Sequence, residues 1–154
     1  MNRPAAIVLG NAIAECVLTL PEPMKWGHKY TAPATATLGG SGIDYARRLL
    51  PAGLDVFPML LAGNDEAGRS VQALLLDEAR AAGASASCLG FIETPEFFVR
   101  DASTMQSTIL VHDGTRTIFS HTPRTGEDFL DYVNRRIAAL DAVGVLAGLT
   151  GAAA

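Results

Sequence analysis

Three glycines in four residues, Gly39-Gly40-Ser41-Gly42, separate an extended-looking stretch ending at Leu38 from a helical one opening near Ile43. No other part of the chain constrains the backbone so tightly. Glycine reaches conformations closed to other residues and leaves space for a ligand beside the main chain. A helix starting just after such a turn presents its first N–H groups to whatever occupies it. A polar ligand such as a sugar hydroxyl or a phosphate suits that position. A tight strand-to-helix connection with no ligand accounts for the same residues.

The 154 residues amount to one domain or to part of a larger one. Apolar residues make up 49% of them and charged residues only 18%. Strands covered on both faces produce that balance. A piece of a larger domain, covered by its missing part, produces it too. The net charge of −4 argues against an electrostatic nucleic-acid footprint, so no nucleic-acid partner is expected. Cys16 and Cys88 are too few for a disulfide framework, and no metal-ligand spacing links them to the histidines. A cytoplasmic location is expected. Arg3 and the apolar run from Pro4 to Leu20 imitate a secretion signal, but Asn11 and Glu15 interrupt it. No run approaches the ~18 apolar residues of a membrane helix, so no membrane partner is expected.

Ala5 to Gly10 reads as a buried parallel strand, with Asn11 to Glu15 at its carboxyl end, where ligands gather in such sheets. Val17 to Leu20 is strand-like, and Thr31 to Leu38 is an extended arm leading to the glycine turn. After the turn, Ile43, Ala46, Leu49 and Leu50 share one helical face. Leu54 to Leu61 is the next strand, weakened by Pro58. Asn64 or Asp65 can cap a helix running to about Ala82, with Val71, Leu74, Leu75 and Ala79 on its core stripe. Cys88 to Ile92 is expected to be a strand. Asp113-Gly114 between two β-rich runs marks a hairpin over residues 107–120. Gly126 to Leu140 is expected to be a helix with Phe129, Val133, Ile137 and Leu140 on one side, and Val143 to Gly148 a last strand. The strands near 5–10, 54–61 and 143–147 are expected in one sheet, with the helices packed on it.

The order of these signals is more specific than any one of them. Gly39-Gly40-Ser41-Gly42-Ile43-Asp44, then Gly53, then Gly63-Asn64-Asp65-Glu66-Ala67-Gly68, resembles the first signature of the ribokinase-like sugar kinases, the PfkB carbohydrate kinase family. Val8-Leu9-Gly10 followed by Glu15, and the late hairpin, are similar too. The resemblance spans nearly the whole chain. It implies an α/β, ribokinase-like fold: a parallel-sheet core with helices on its faces and a small β lid. It implies that residues 1–154 form the N-terminal, substrate-binding part of the kinase domain, with lid segments near 15–38 and 88–122. By resemblance the acceptor is a sugar or nucleoside, held by Glu15, Gly39, Gly40, Ser41 and Asp44. ATP and Mg2+ are the implied cofactors.

Two departures from the family pattern stand out. Asp44 occupies the position where the family usually has Asn, so it accepts hydrogen bonds but does not donate them when ionised. The family's later Asp-Thr-x-Gly-Ala-Gly-Asp run, implied to supply the catalytic base and to hold the transferring phosphate, does not occur in these residues. Phosphoryl transfer needs a base at the attacking hydroxyl and positive dipoles around the γ-phosphate. Only the acceptor side is represented here, so no catalytic residue is assigned and the ATP-binding half is expected to be missing. The chain is expected to be truncated and inactive alone, and to form homo-oligomers through the lid or an exposed sheet edge. A non-catalytic sugar-binding or assembly module retaining the front half of the fold is the alternative. An unrelated nucleotide binder fits less well: there is no Walker A pattern, and Tyr45 stands where a dinucleotide fingerprint needs its third glycine.

Overall fold

A computed structural model of the chain describes residues 3–21, 25, 27–121 and 126–145. In chain order its elements are β1 (Ala5–Asn11), β2 (Ile13–Thr19), β3 (Ala34–Gly39), α1 (Ser41–Leu49), β4 (Asp55–Leu61), α2 (Glu66–Ala81), α3 (Ala86–Glu93), β5 (Met105–His112), β6 (Thr115–His121) and α4 (Phe129–Ala142). A 3-10 turn, Pro95–Phe97, follows α3.

β1 and β4 pair in parallel, Ala5 with Asp55 through Asn11 with Leu61. α1 packs on this pair through Ile43 and Ala46, both fully buried. α2 contributes Val71, Leu75 and Ala79 to the same core. The apolar stripes expected on both helices are therefore the ones that pack. Pro58 is accommodated within β4 because its carbonyl points away from β1, toward Arg136. The N–H that proline lacks falls on that same side, where no strand among the described residues requires it.

The remaining strands build a separate four-stranded sheet in the order β3-β2-β5-β6. β2 is antiparallel to β3 and parallel to β5, and the hairpin β5–β6 closes one edge. Asp113 and Gly114 both have positive φ, 46° and 70°, as a two-residue turn matched to strand twist requires.

Three expectations are corrected. Cys88 to Ile92 is not a strand but the middle of α3, whose first turn is capped by Ser85 Oγ accepting from Cys88 N–H. Cys88, Phe91 and Ile92 are buried at helical spacing, and a short apolar run does not by itself distinguish the two conformations. Residues 143–145 are not in a strand: Val143 is the C-cap of α4 and Gly144, with φ 74°, follows it. The sheet therefore joins 5–11 to 55–61 without them; 146–148 lie outside the described residues. The inner face of α4 is Tyr132, Arg136 and Leu140, while Phe129 and Ile137 are 43% and 41% exposed. The helix is turned so that the Arg136 guanidinium reaches the carbonyls of Pro58 and Phe91, which an aliphatic side chain could not satisfy. Among the described residues no helix is long and apolar enough to cross a membrane.

Candidate functional site

The turn between β3 and α1 lies beside the end of β1. Gly40 has φ 101°, and a Cβ there would stand 2.5 Å from the Asn11 carbonyl oxygen. Backbone strain and the close approach both require glycine at this position. The other helices are capped by side chains: Asp65 accepts from Gly68 N–H, Ser85 from Cys88 N–H and Asp128 from Leu130 N–H. α1 has Gly40 at its N-cap and no side-chain cap. Among the described residues no side chain caps its first N–H groups.

Glu15 stands in the middle of β2, not in a loop after β1. Its carboxylate leans over the turn: a Cβ on Gly39 would lie 2.9 Å from Oε2. Among the described residues no hydrogen-bond donor reaches this carboxylate. The fold thus brings Glu15, Gly39 and Gly40 together at the mouth of α1. Ser41 is the first residue of the helix and is exposed. Asp44 is exposed one position short of a full turn further on, where it borders a surface groove with Arg47, Arg48 and Pro51. It is not the cap of α1.

Asp65 belongs to the frame between the two sheets. Oδ1 accepts from Gly68 N–H at 2.8 Å and Thr104 Oγ1 at 2.7 Å, and Oδ2 accepts from Thr104 N–H at 2.7 Å. Partial burial raises its pKa, but these hydrogen bonds outweigh that and hold it below the usual value. The clamp ties the start of α2 to the approach of β5 and fixes where the second sheet stands.

The strand register brings in residues that no motif marks. Thr37 pairs with Glu15, Glu15 with Ser107, and Ser107 with Ser120. The hairpin turn was the available signal, since counting back five positions from His112 and forward five from Thr115 sets Ser107 opposite Ser120. Nothing local signals the pairing with Glu15. A cavity of about 1010 Å³ borders the middle of this sheet and the first turn of α2. Both alternating sets of strand residues line it, Ala14 and Cys16 as well as Glu15, whereas Gly39, Gly40, Ser41 and Asp44 do not.

The fold recurs in solved structures. Ribokinase from Cryptococcus neoformans var. grubii serotype A, in complex with ADP, matches with TM-score 0.55 and 22% identity over 79% of this chain and 35% of its own. A carbohydrate kinase from Agrobacterium tumefaciens matches with TM-score 0.56 and 24% identity over 77% of this chain and 35% of its own. Arabidopsis thaliana ribokinase, complexed with ribose and ATP, matches with TM-score 0.60 and 18% identity over 94% of this chain and 52% of its own. The fold is ribokinase-like. No family model matches the sequence, and no curated protein is a significant match. The ribokinase-like chain spans between about a third and a half of the length of these three structures.

Proposed function

We propose that these residues are the acceptor-binding part of an ATP-dependent carbohydrate kinase, which transfers the γ-phosphate to a sugar hydroxyl. The observation that carries this reading is the Glu15 carboxylate, without a donor of its own, held over Gly39 beside the uncapped start of α1. A sugar hydroxyl donates to that carboxylate, and a second sugar oxygen accepts from the first N–H groups of α1. Asp44 and the Ser41 hydroxyl supply further contacts from the exposed side of the same helix. Such contacts orient the acceptor, which lowers the entropic part of the barrier to in-line transfer.

The four-stranded sheet β3-β2-β5-β6 acts in this reading as a lid over the acceptor, while α3, at the start of the expected 88–122 lid segment, packs on α2 and β4 instead. Within residues 1–154 no group is assigned to general-base chemistry or to the γ-phosphate. ATP is the phosphoryl donor and Mg2+ its usual companion, but no cluster of three or more His, Cys, Asp or Glu among the described residues could hold an ion. The residues described bind and orient the acceptor only. Cys16 and Cys88 are both unpaired, which suits a reducing cytoplasm.

The test is calorimetric titration of the chain with free sugars and nucleosides, beside Glu15→Gln. The expected result is binding of at least one of them, weakened in the variant. No binding by the parent chain overturns the reading. The alternative, a non-catalytic sugar-binding or assembly module that retains the front half of the fold, shares this site and differs only in what accompanies it.

A further inference from the structure

We infer that Asp65 is a positioning residue for the acceptor: through Thr104 it sets where the Glu15 carboxylate stands over the glycine turn, and it touches no ligand itself. This rests on the acceptor-site reading above. Among the described residues the chain passes between the core and the four-stranded sheet at three places: Ala12 between β1 and β2, Gly40 between β3 and α1, and residues 99–104 ahead of β5. Among the described residues no side chain of β2, β3, β5 or β6 hydrogen-bonds to a helix or to β1 or β4. Thr104, one residue before β5 and 1% exposed, makes the connection instead. Its N–H donates to Asp65 Oδ2 at 2.7 Å and its hydroxyl to Oδ1 at 2.7 Å, while Oγ1 accepts from Gly63 N–H at 3.1 Å. A Cβ on Gly63 would lie 2.1 Å from the Ala102 carbonyl oxygen, and one on Gly68 would lie 2.8 Å from Thr104 Oγ1. Packing this close transmits a displacement rather than absorbing it.

A helix cap alone does not require this arrangement. Ser85 caps α3 with one hydrogen bond to Cys88 N–H, and Asp128 caps α4 with one to Leu130 N–H. Asp65 caps α2 through Gly68 N–H and then accepts two more hydrogen bonds, both from Thr104. It does not line the large cavity, whose α2 wall is Glu66, Ala67 and Ser70. Its route to the acceptor runs through the strands. Met105, next to Thr104, opposes Ile13, and two positions further along Ser107 opposes Glu15. At about 3.3 Å per residue, Glu15 stands roughly 10 Å along the sheet from the tie. Among the described residues no donor holds its carboxylate, so the placement of β2 is what aims it. A shift at the start of β5 therefore moves Glu15 relative to the start of α1, which is packed on β1 and β4.

The experiment titrates the 154-residue chain with ribose, fructose, glucose, adenosine and cytidine by calorimetry, and repeats the titration of whichever binds with variants. Asp65→Asn keeps one acceptor oxygen for the cap but presents an amide NH2 to a donor of Thr104. Thr104→Val removes the hydroxyl and leaves the α2 cap intact, so it carries the test if Asp65→Asn does not fold. Thr104→Ser is the conservative variant, and Ser85→Ala removes a cap remote from the tie. The expected result is affinity weakened roughly three- to tenfold by Asp65→Asn and by Thr104→Val, and parental affinity in Thr104→Ser. Ser85→Ala should lower the unfolding midpoint without changing affinity. In a Glu15→Gln background, Asp65→Asn should add no further loss, since the two substitutions then act through one contact. Parental affinity in both Asp65→Asn and Thr104→Val, with loss in Glu15→Gln, overturns this inference and leaves the acceptor-site reading standing. Additive losses from Asp65→Asn and Glu15→Gln, or an equal loss in Ser85→Ala, overturn it in the same way. A parent chain that binds none of the five overturns both.

Discussion

The guanidinium of Arg136 lies 3.6 Å from the centroid of the Phe91 ring, and both side chains are fully buried. The same group donates to the carbonyls of Pro58 and Phe91 and to Thr94 Oγ1. One α4 residue thereby holds α3 and the outer edge of β4 together. Burial pushes its pKa down to about 10, still charged at neutral pH. Tyr132, one turn earlier, donates to the Phe97 carbonyl, and burial raises its hydroxyl to about 12. Among the described residues the outer edge of β4 has no strand neighbour, and side chains contact it there, Cys88 Sγ on the Val56 carbonyl among them.

Arg136→Ala should lower stability by roughly 3–5 kcal/mol, from the cavity left behind and the orphaned carbonyls. Arg136→Met, which keeps most of the volume, should still lose about 1–3 kcal/mol for the unsatisfied acceptors. Urea unfolding followed by circular dichroism measures both. A neutral Arg136→Ala variant would show that α4 does not hold the edge of β4.

Asp65 ties stability to acid pH. Its folded pKa is depressed, so its contribution is complete above the unfolded carboxylate value of about 3.9 and is lost as pH falls through the lower folded value. Asp65→Asn should cost about 1–2 kcal/mol at pH 7, the worth of a helix cap with its added hydrogen bonds. The gap between parent and variant should narrow below about pH 4. Unfolding midpoints of both proteins between neutral and strongly acid pH decide this, and a constant gap would count against the clamp.

Asp44→Ala should weaken sugar binding by ~1–3 kcal/mol, the usual loss for a hydrogen bond to a charged group. Titration of a sugar that binds the parent gives the number. Equal affinities would leave Asp44 as a favourable charge in the first turn of α1 and nothing more.

Residues 1–154 alone should not phosphorylate sugars. One preorganised electrostatic donor is typically worth ~10²–10³ in rate and general acid–base help ~10²–10⁴. Neither is assigned within this chain. ADP release against a panel of sugars and nucleosides should stay at background, and substrate-dependent turnover would overturn the division of roles.

Self-association is expected through β1. Among the described residues it pairs only with β4, and Ile7 and Leu9 are 44% and 54% exposed. An unpaired apolar edge recruits other chains. Light scattering should report species larger than a monomer, reduced by Leu9→Lys. A monodisperse parent would refute this.

Local chemistry made much of the fold legible in the sequence. Ile43 and Ala46 on α1, with Leu50 at its C-cap, and Val71, Leu75 and Ala79 on α2, pack where helical periodicity places them. The glycines at 39, 40 and 42 mark the strand-to-helix turn, and Asp113-Gly114 sets the hairpin register that opposes Ser107 to Ser120. These features depend on residues a few positions apart, whose preferences act before any tertiary contact forms. Tertiary structure decided the rest. Cys88 to Ile92 is helical because a Ser85 cap and a core three and four residues apart favour that form over an equally apolar strand. The face that α4 buries follows from Arg136 meeting the carbonyls of Pro58 and Phe91, at separations of 78 and 45 residues. The pairing of Glu15 with Ser107 joins strands with most of the fold between them. No periodicity encodes it, because register between distant strands is set only when both are held on the same folded core.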